Sequence, residues 1–234
     1  MNTRRAVTVW VWAAALLALP LTLVALPAHA GIRTIVLVRH GQYDDDDRQD
    51  PEVGNALTEL GRRQARITGE RLAATTPKVD LVYASPMTRA RETAAIIGEV
   101  LGKKPEILRD LRECTPPTSR QDIMAKERPG ALDSCTAQLD RVYARFFRGT
   151  TGADSTIALV CHGNVTRYLI SKALGMDLKQ WLTFSVSHAS LSKVRIRGDG
   201  AIQVVSVGDS GHLPPEIVTF TNPPVRKDST ATPR

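Results

Sequence analysis

With 234 residues, 42% of them apolar and 24% charged, the chain is long enough for one well-buried core and short for two, which excludes disorder throughout. The formal charge of +7 suits anionic ligands or surfaces. The arginines are nevertheless spread along predicted helices, and no basic run interleaved with aromatics argues for nucleic acid.

The first thirty residues stand apart. Met1 to Arg5 is basic, Ala6 to Leu26 is apolar without a charge, and Ala28-His29-Ala30 has the small-x-small form of a cleavage site. Residues 1–30 therefore read as a signal peptide, and the protein as exported, periplasmic or secreted. The alternative is an uncleaved membrane anchor through residues 6–26, because the run nearly reaches the roughly 20 residues needed to span a bilayer. Pro20 and Pro27 interrupt that run. Cleavage after Ala30 removes Arg4 and Arg5 and no acid, lowering the charge from +7 to +5.

A single domain is expected over residues 31–221. Ile32 to Val38 is a continuous apolar strand, and Glu59 to Ala74 has helical spacing with Thr58 as its N-cap. Val79 to Ser85 is the next strand. Met87 to Leu101 is a second helix closed by Gly102, and Pro105 to Leu108 a short strand. From Glu113 to Gly130 the pattern breaks down. Thr136 to Phe147 recovers a helix, Thr156 to Cys161 a strand and Val165 to Leu174 a helix. Leu191 to Arg197 and Ala201 to Val207 are two last strands around a Gly198-Asp199-Gly200 turn. Strands alternating with helices imply an α/β fold, a three-layer α/β/α sandwich with a mostly parallel central sheet. Residues 222–234 are rich in proline, threonine and charge, and read as a flexible C-terminal tail.

Three cysteines remain to be placed. Cys114 and Cys135 lie in or beside the irregular middle of the chain and would pair in an oxidising compartment, whereas Cys161 ends an apolar strand as a small hydrophobe. Their spacing matches no zinc pattern. The pairing stays open at this point.

The chemistry collects at one edge. In open α/β sheets ligands bind beyond the carboxyl ends of the strands. Arg39-His40-Gly41 ends the first strand, Ser85 to Arg89 follows the second, and His162-Gly163-Asn164 ends a later one. Two histidines and two arginines converging near helix N-termini make a site for a phosphate dianion. Asp44 to Asp47 reads as a solvated acidic loop, with a bound cation or a basic protein as alternatives. His188 reads as a structural residue or one that supports the site without acting in it, and Asn164 as a helix cap.

Five motifs in order carry a resemblance: Val38-Arg39-His40-Gly41, Leu57-Thr58-x-x-Gly61-x-x-Gln64-Ala65, Ser85-Pro86-x-x-Arg89-Ala90-x-x-Thr93, Leu111-Arg112-Glu113 and Cys161-His162-Gly163-Asn164. Together they resemble the histidine phosphatase superfamily, with its phosphoglycerate mutase-like fold. Arg39 to Tyr43, Met87 to Ala90 and Gly208 to Pro215 further resemble its mitochondrial serine/threonine protein phosphatase branch.

The resemblance implies a phosphatase that works without metal or cofactor, through phosphohistidine on His40. Arg39, Arg89 and His162 would grip the phosphate with Gly41, Gln42 and Gly163 beside it, and Glu113 would be the acid and base. It implies a phosphorylated protein as substrate, with small phosphate esters as the alternative. It also implies self-assembly, for which Trp181 and Gly208 to Pro215 are the candidates. The roughly fifty residues between Glu113 and His162 build only a modest cap, which favours a phosphatase over a mutase-type phosphotransferase. A non-catalytic interaction module on the same fold is the remaining alternative.

Overall fold

The structure, a computed structural model, describes residues 31–44, 53–75 and 78–221. The readings made for residues 1–30, for Asp45 to Asp47 and for residues 222–234 lie outside the described residues. Among the described residues no helix is long and apolar enough to cross a membrane.

The elements in chain order are β1 (Arg33–Arg39), α1 (Glu59–Thr75), β2 (Leu81–Ala84), α2 (Thr88–Leu101), β3 (Glu106–Ile107), α3 (Gln121–Met124), α4 (Ala131–Phe146), β4 (Ser155–Cys161), α5 (Gly163–Ala173), β5 (Leu191–Ile196) and β6 (Ile202–Asp209). They form one six-stranded sheet in the order β3-β2-β4-β1-β5-β6. The first four strands run parallel; β5 pairs antiparallel to β1, and β6 antiparallel to β5.

β1 and β4, neighbours at the centre, each end in five consecutive buried residues because helices cover both faces of the sheet. Their side chains alternate between two cores, as the period of two in a strand requires. Ile35, Leu37 and Leu159 face Leu139, Val142 and Phe146 of α4 and Val165 and Leu169 of α5. Val36, Val38, Ala158 and Val160 face Leu72 of α1 and Ala90, Ala94 and Ile97 of α2. Each fully buried Leu or Ile contributes about 1.5–3 kcal/mol, so the two cores together pin the carboxyl ends of β1 and β4 side by side.

Local chemistry sets the element ends. Gly102 stops α2 at φ 63°, and the backbone N–H of Lys103 closes on Gly98 O at 2.8 Å. Thr58 caps α1 as expected, its hydroxyl accepting from Gly61 N at 3.0 Å. The helix expected from Thr136 begins earlier, at Ala131, because Gly130 turns the chain in the left-handed region at φ 75° directly before it. The irregular stretch contains the single turn of α3, and Cys114 is joined to Cys135 on α4 by a disulfide with Cα atoms 5.6 Å apart.

Two expectations change. β6 runs on to Asp209, and the chain then returns across the molecule with Leu213 and Ile217 buried against Ala189. Trp181 is 1% exposed and its indole N–H donates to Pro117 O at 3.0 Å, so its ring fills the interior and offers no surface for assembly.

Candidate active site

β1 and β4 run parallel in register, with Arg39 opposite Cys161, and so deliver His40 and His162 to the same edge. Their ring centroids are 5.0 Å apart. α5 begins at Gly163, immediately after the strand, so His162 occupies its N-cap position.

His40 is held in one tautomer. Its Nδ1 lies 2.8 Å from Gly41 O, and a carbonyl only accepts, so Nδ1 carries the proton and Nε2 the lone pair. Arg89 Nε donates to that lone pair at 3.1 Å. The Ser85 to Thr93 motif explains how Arg89 reaches it. Thr93, one turn along α2, donates its hydroxyl to Arg89 O at 2.7 Å and accepts from Gly41 N at 3.0 Å, tying the helix to the end of β1. Ser85 meets His162 Nε2 at 2.7 Å. Gly41 and Gly61 approach so closely that a Cβ on Gly41 would lie 2.5 Å from Gly61 O, and one on Gly61 1.9 Å from Gln42 O. That contact is what the glycines of the two motifs permit.

Arg39, His40, Arg89, Glu113 and Gly163 line one cavity of about 270 Å³, together with Tyr43, Asn164, Arg167, Phe220 and Thr221. His162 is fully buried beside His40. Arg39 Nη1 donates to Val186 O at 2.6 Å, and Nη2 to His188 Nε2 at 3.1 Å and to the Thr221 hydroxyl. Arg39 Nε, His162 Nδ1 and Glu113 Oε1 are buried polar atoms with no protein partner. Buried polar atoms are nearly always paired, so the two nitrogens are what an anionic ligand would satisfy, and Glu113 Oε1 can join them only when it carries a proton.

Burial, reinforced by the other histidine and the two arginines, pushes His40 well below the ordinary histidine range, and burial with Arg89 and Arg39 does the same to His162. His188 is pushed down to about 3, first by burial and then by Arg39 and Arg89. Glu113 moves the other way. Burial raises it, against the pull of Arg89, Arg39 and the backbone N–H of Asn164.

These shifts make a stability prediction. Below about pH 6.5 the unfolded chain takes up protons on three histidines that the folded chain keeps neutral, so stability is lost as pH falls through that value. Raised Glu113 acts in the opposite sense as pH falls toward the ordinary glutamate range, and offsets only part of the loss. The melting temperature should fall by about 5 °C or more between pH 7.5 and pH 5.5. An unchanged value in calorimetry would mean the imidazoles are not held neutral.

Several readings are corrected here. Gln42 is not brought to the cavity; its side-chain Oε1 accepts from Thr58 at 2.9 Å, because the turn after β1 faces the start of α1. Gly41 acts through its backbone, behind His40 rather than in the cavity wall. Asn164 does not cap α5, since its Nδ2 is directed away to Cys114 O at 3.2 Å. Among the described residues no group of three or more His, Cys, Asp or Glu is placed to hold a metal ion.

Four lining residues were missed. Tyr43, whose ring lies 4.8 Å from the Arg89 guanidinium, belongs to the Arg39 to Tyr43 motif and is legible there as an aromatic beside a cation. Arg167 stands three residues after Asn164 on α5, a spacing that shares a face. Phe220 and Thr221 carried no sequence signal, because nothing in their pattern says that the chain after β6 returns to β1.

The comparisons with known proteins follow this geometry. Residues 35–210 match the family model for the histidine phosphatase superfamily, branch 1. The chain is 33% identical over 193 residues to the mitochondrial serine/threonine-protein phosphatase PGAM5 of Xenopus tropicalis, covering 81% of this chain and 69% of that protein. It is 38% identical over 198 residues to the mitochondrial Pgam5 of Caenorhabditis elegans, covering 81% and 67%. Among solved structures, the phosphoglycerate mutase of Plasmodium falciparum aligns over 81% of this chain and 99% of its own, at TM-score 0.56 and 26% identity. A mycobacterial glucosyl-3-phosphoglycerate phosphatase shares the fold at TM-score 0.59 and 21% identity, over 76% and 100%. The expectation of an exported, periplasmic or secreted protein is overturned, since relatives at this level of identity are mitochondrial by name. With the family-model match running over residues 35–210, the chain belongs to the histidine phosphatase superfamily, branch 1.

Proposed function

We propose that this phosphatase removes phosphate from a phosphorylated serine or threonine side chain of a protein, without a metal, by way of phosphohistidine on His40. The observation that carries the reading is the locked tautomer of His40, with its lone pair on Nε2 facing Arg89 in a cavity that also holds Arg39 and Glu113.

The substrate phosphate takes the place of His40 Nε2 as the partner of Arg89, which frees the lone pair. Nε2 attacks phosphorus, an N–P bond forms, and the P–O bond to the side chain breaks. Glu113, whose protonated form burial favours, gives its proton to the leaving alkoxide. As carboxylate it then takes a proton from water, whose oxygen attacks phosphorus; the N–P bond breaks and neutral His40 and inorganic phosphate result. Arg39, Arg89 and His162 hold the non-bridging oxygens as charge shifts among them. Loss of one such contact would cost about 2.7–4 kcal/mol of transition-state stabilisation.

The protein substrate is supported by two points. The relatives are named as serine/threonine-protein phosphatases, and Tyr43 and Phe220 give the cavity an aromatic rim suited to a peptide. A panel of phosphoserine and phosphothreonine peptides and small esters, 3-phosphoglycerate included, assayed with a chelator present, tests both halves. Phosphopeptides should exceed small esters in kcat/KM by about tenfold, a preference worth about 1.4 kcal/mol. A preference for small esters would overturn the protein substrate, and loss of turnover on adding chelator would overturn the metal-free route.

A further inference from the structure

We propose that the Cys114–Cys135 disulfide and Gln138 are positioning residues for Glu113, so that opening the disulfide removes acid catalysis while leaving attack by His40 in place. The inference rests on the phosphatase reading above.

Glu113 has no secondary structure of its own: residues 113–118 belong to neither helix nor strand. Its two chain neighbours are both gripped by α4. Cys114 is bonded to the buried Cys135 on that helix. Gln138, three residues further along and therefore on the same face, donates Nε2 to Arg112 O at 2.8 Å and lies 3.6 Å from Cys114 Sγ. From the opposite side, Asn164 Nδ2 donates to Cys114 O at 3.2 Å. The carboxyl between these ties is buried, with Oε1 having no protein partner, at the edge of the phosphate cavity. A side chain on an irregular segment keeps a catalytic position only if the segment is tied down, and here the covalent tie is one residue from the acid.

α4 itself is anchored in the core through Leu139, Val142 and Phe146. It can serve as the fixed post. His40 and Arg39 reach the cavity from β1, and the hydrogen bonds that fix them run to Gly41, Val186, His188 and Thr221, outside residues 112–118 and α4. Releasing the segment therefore acts on the acid and not on the nucleophile. Cys161, the remaining thiol among the described residues, is buried and pushed up to about 12 by that burial, so it stays a thiol and does not compete in exchange.

Opening is a two-electron step. A dithiol such as dithiothreitol supplies two electrons and two protons, becomes a cyclic disulfide, and leaves Cys114 and Cys135 as thiols.

The experiment compares the full chain, oxidised and after reduction verified by thiol titration, and adds Gln138→Ala in the oxidised form. Substrates are a phosphoserine peptide, whose alkoxide leaving group needs a proton, and p-nitrophenyl phosphate, whose leaving group does not. The readout is kcat/KM, which covers steps only as far as departure of the alcohol. Reduction should lower the phosphoserine value by about 10- to 100-fold, as a displacement of about 1 Å does, and the p-nitrophenyl phosphate value by no more than about twofold. Reoxidation should restore it. Gln138→Ala should show the same selectivity at about 3- to 10-fold, with no dependence on whether cysteine variants fold. Equal losses on both substrates would make the tie a purely structural one and overturn the proposal, as would an unchanged phosphoserine value with both thiols titrated. Turnover of p-nitrophenyl phosphate by the oxidised chain reads the phosphatase function itself, so the two ideas fail separately.

Discussion

Replacing His40 with alanine should lower turnover of any phosphate ester by about 10⁴-fold or more, the scale seen when an enzyme loses its nucleophile. With it should vanish the acid-labile phosphate that wild-type protein carries when quenched during turnover of a radiolabelled substrate. The expectation follows from which nitrogen is available. His162 Nε2 is engaged by Ser85 and His188 Nε2 by Arg39. Of these three imidazoles only His40 lines the cavity, and its Nε2 meets Arg89 Nε, a group that a phosphate can take over. His40 is buried to 1% exposure, so the variant leaves a small cavity, and its melting temperature must be read alongside the rate. Label that persists on a folded His40→Ala chain would place the nucleophile elsewhere and end the reading.

The part of this architecture that was legible in the sequence is the part governed by local rules. A short continuous apolar run rich in β-branched residues, such as Ile35 to Val38, reads as a strand covered on both faces, and the register of β1 with β4 then carries Arg39-His40 and His162 to one edge. Thr58 and Gly102 marked helix ends because capping and the left-handed turn are properties of single residues. What was not legible depends on distant packing. Gln42 was assigned to substrate by its place next to Gly41, but its side chain satisfies Thr58 on α1, a partner sixteen residues away. His188 reads as a structural or supporting residue, which its contacts bear out, but its partners were not legible: its Nδ1 meets the Thr219 hydroxyl at 2.9 Å and its Nε2 accepts from Arg39, so it orients a guanidinium of the cavity. The pairing of Cys114 with Cys135 rested on an argument about compartment, whereas in the structure it follows from α4 lying alongside residues 112–114.

Glu113→Gln is the second change with a large expected effect, and its pH dependence separates acid catalysis from simple binding. The amide keeps the size of the carboxyl and can still accept from the backbone N–H of Asn164, so the fold should hold. On a phosphoserine peptide kcat/KM should fall by about 10²- to 10⁴-fold, the range of a lost general acid. In the wild-type chain burial raises Glu113, so the acid stays protonated to higher pH than an exposed glutamate, and activity declines as pH climbs through its value. His40, pushed the other way by burial and the surrounding cations, takes up a proton only well below the ordinary histidine range, which holds the acid side of the profile level. The variant has no proton to lose at position 113, so its alkaline decline should disappear while the acid side stays as it was. Ionisation of the substrate is common to both profiles and cancels in their ratio. An alkaline decline of the same midpoint in Glu113→Gln would assign the proton to another group, and would leave this carboxyl with a role in binding alone.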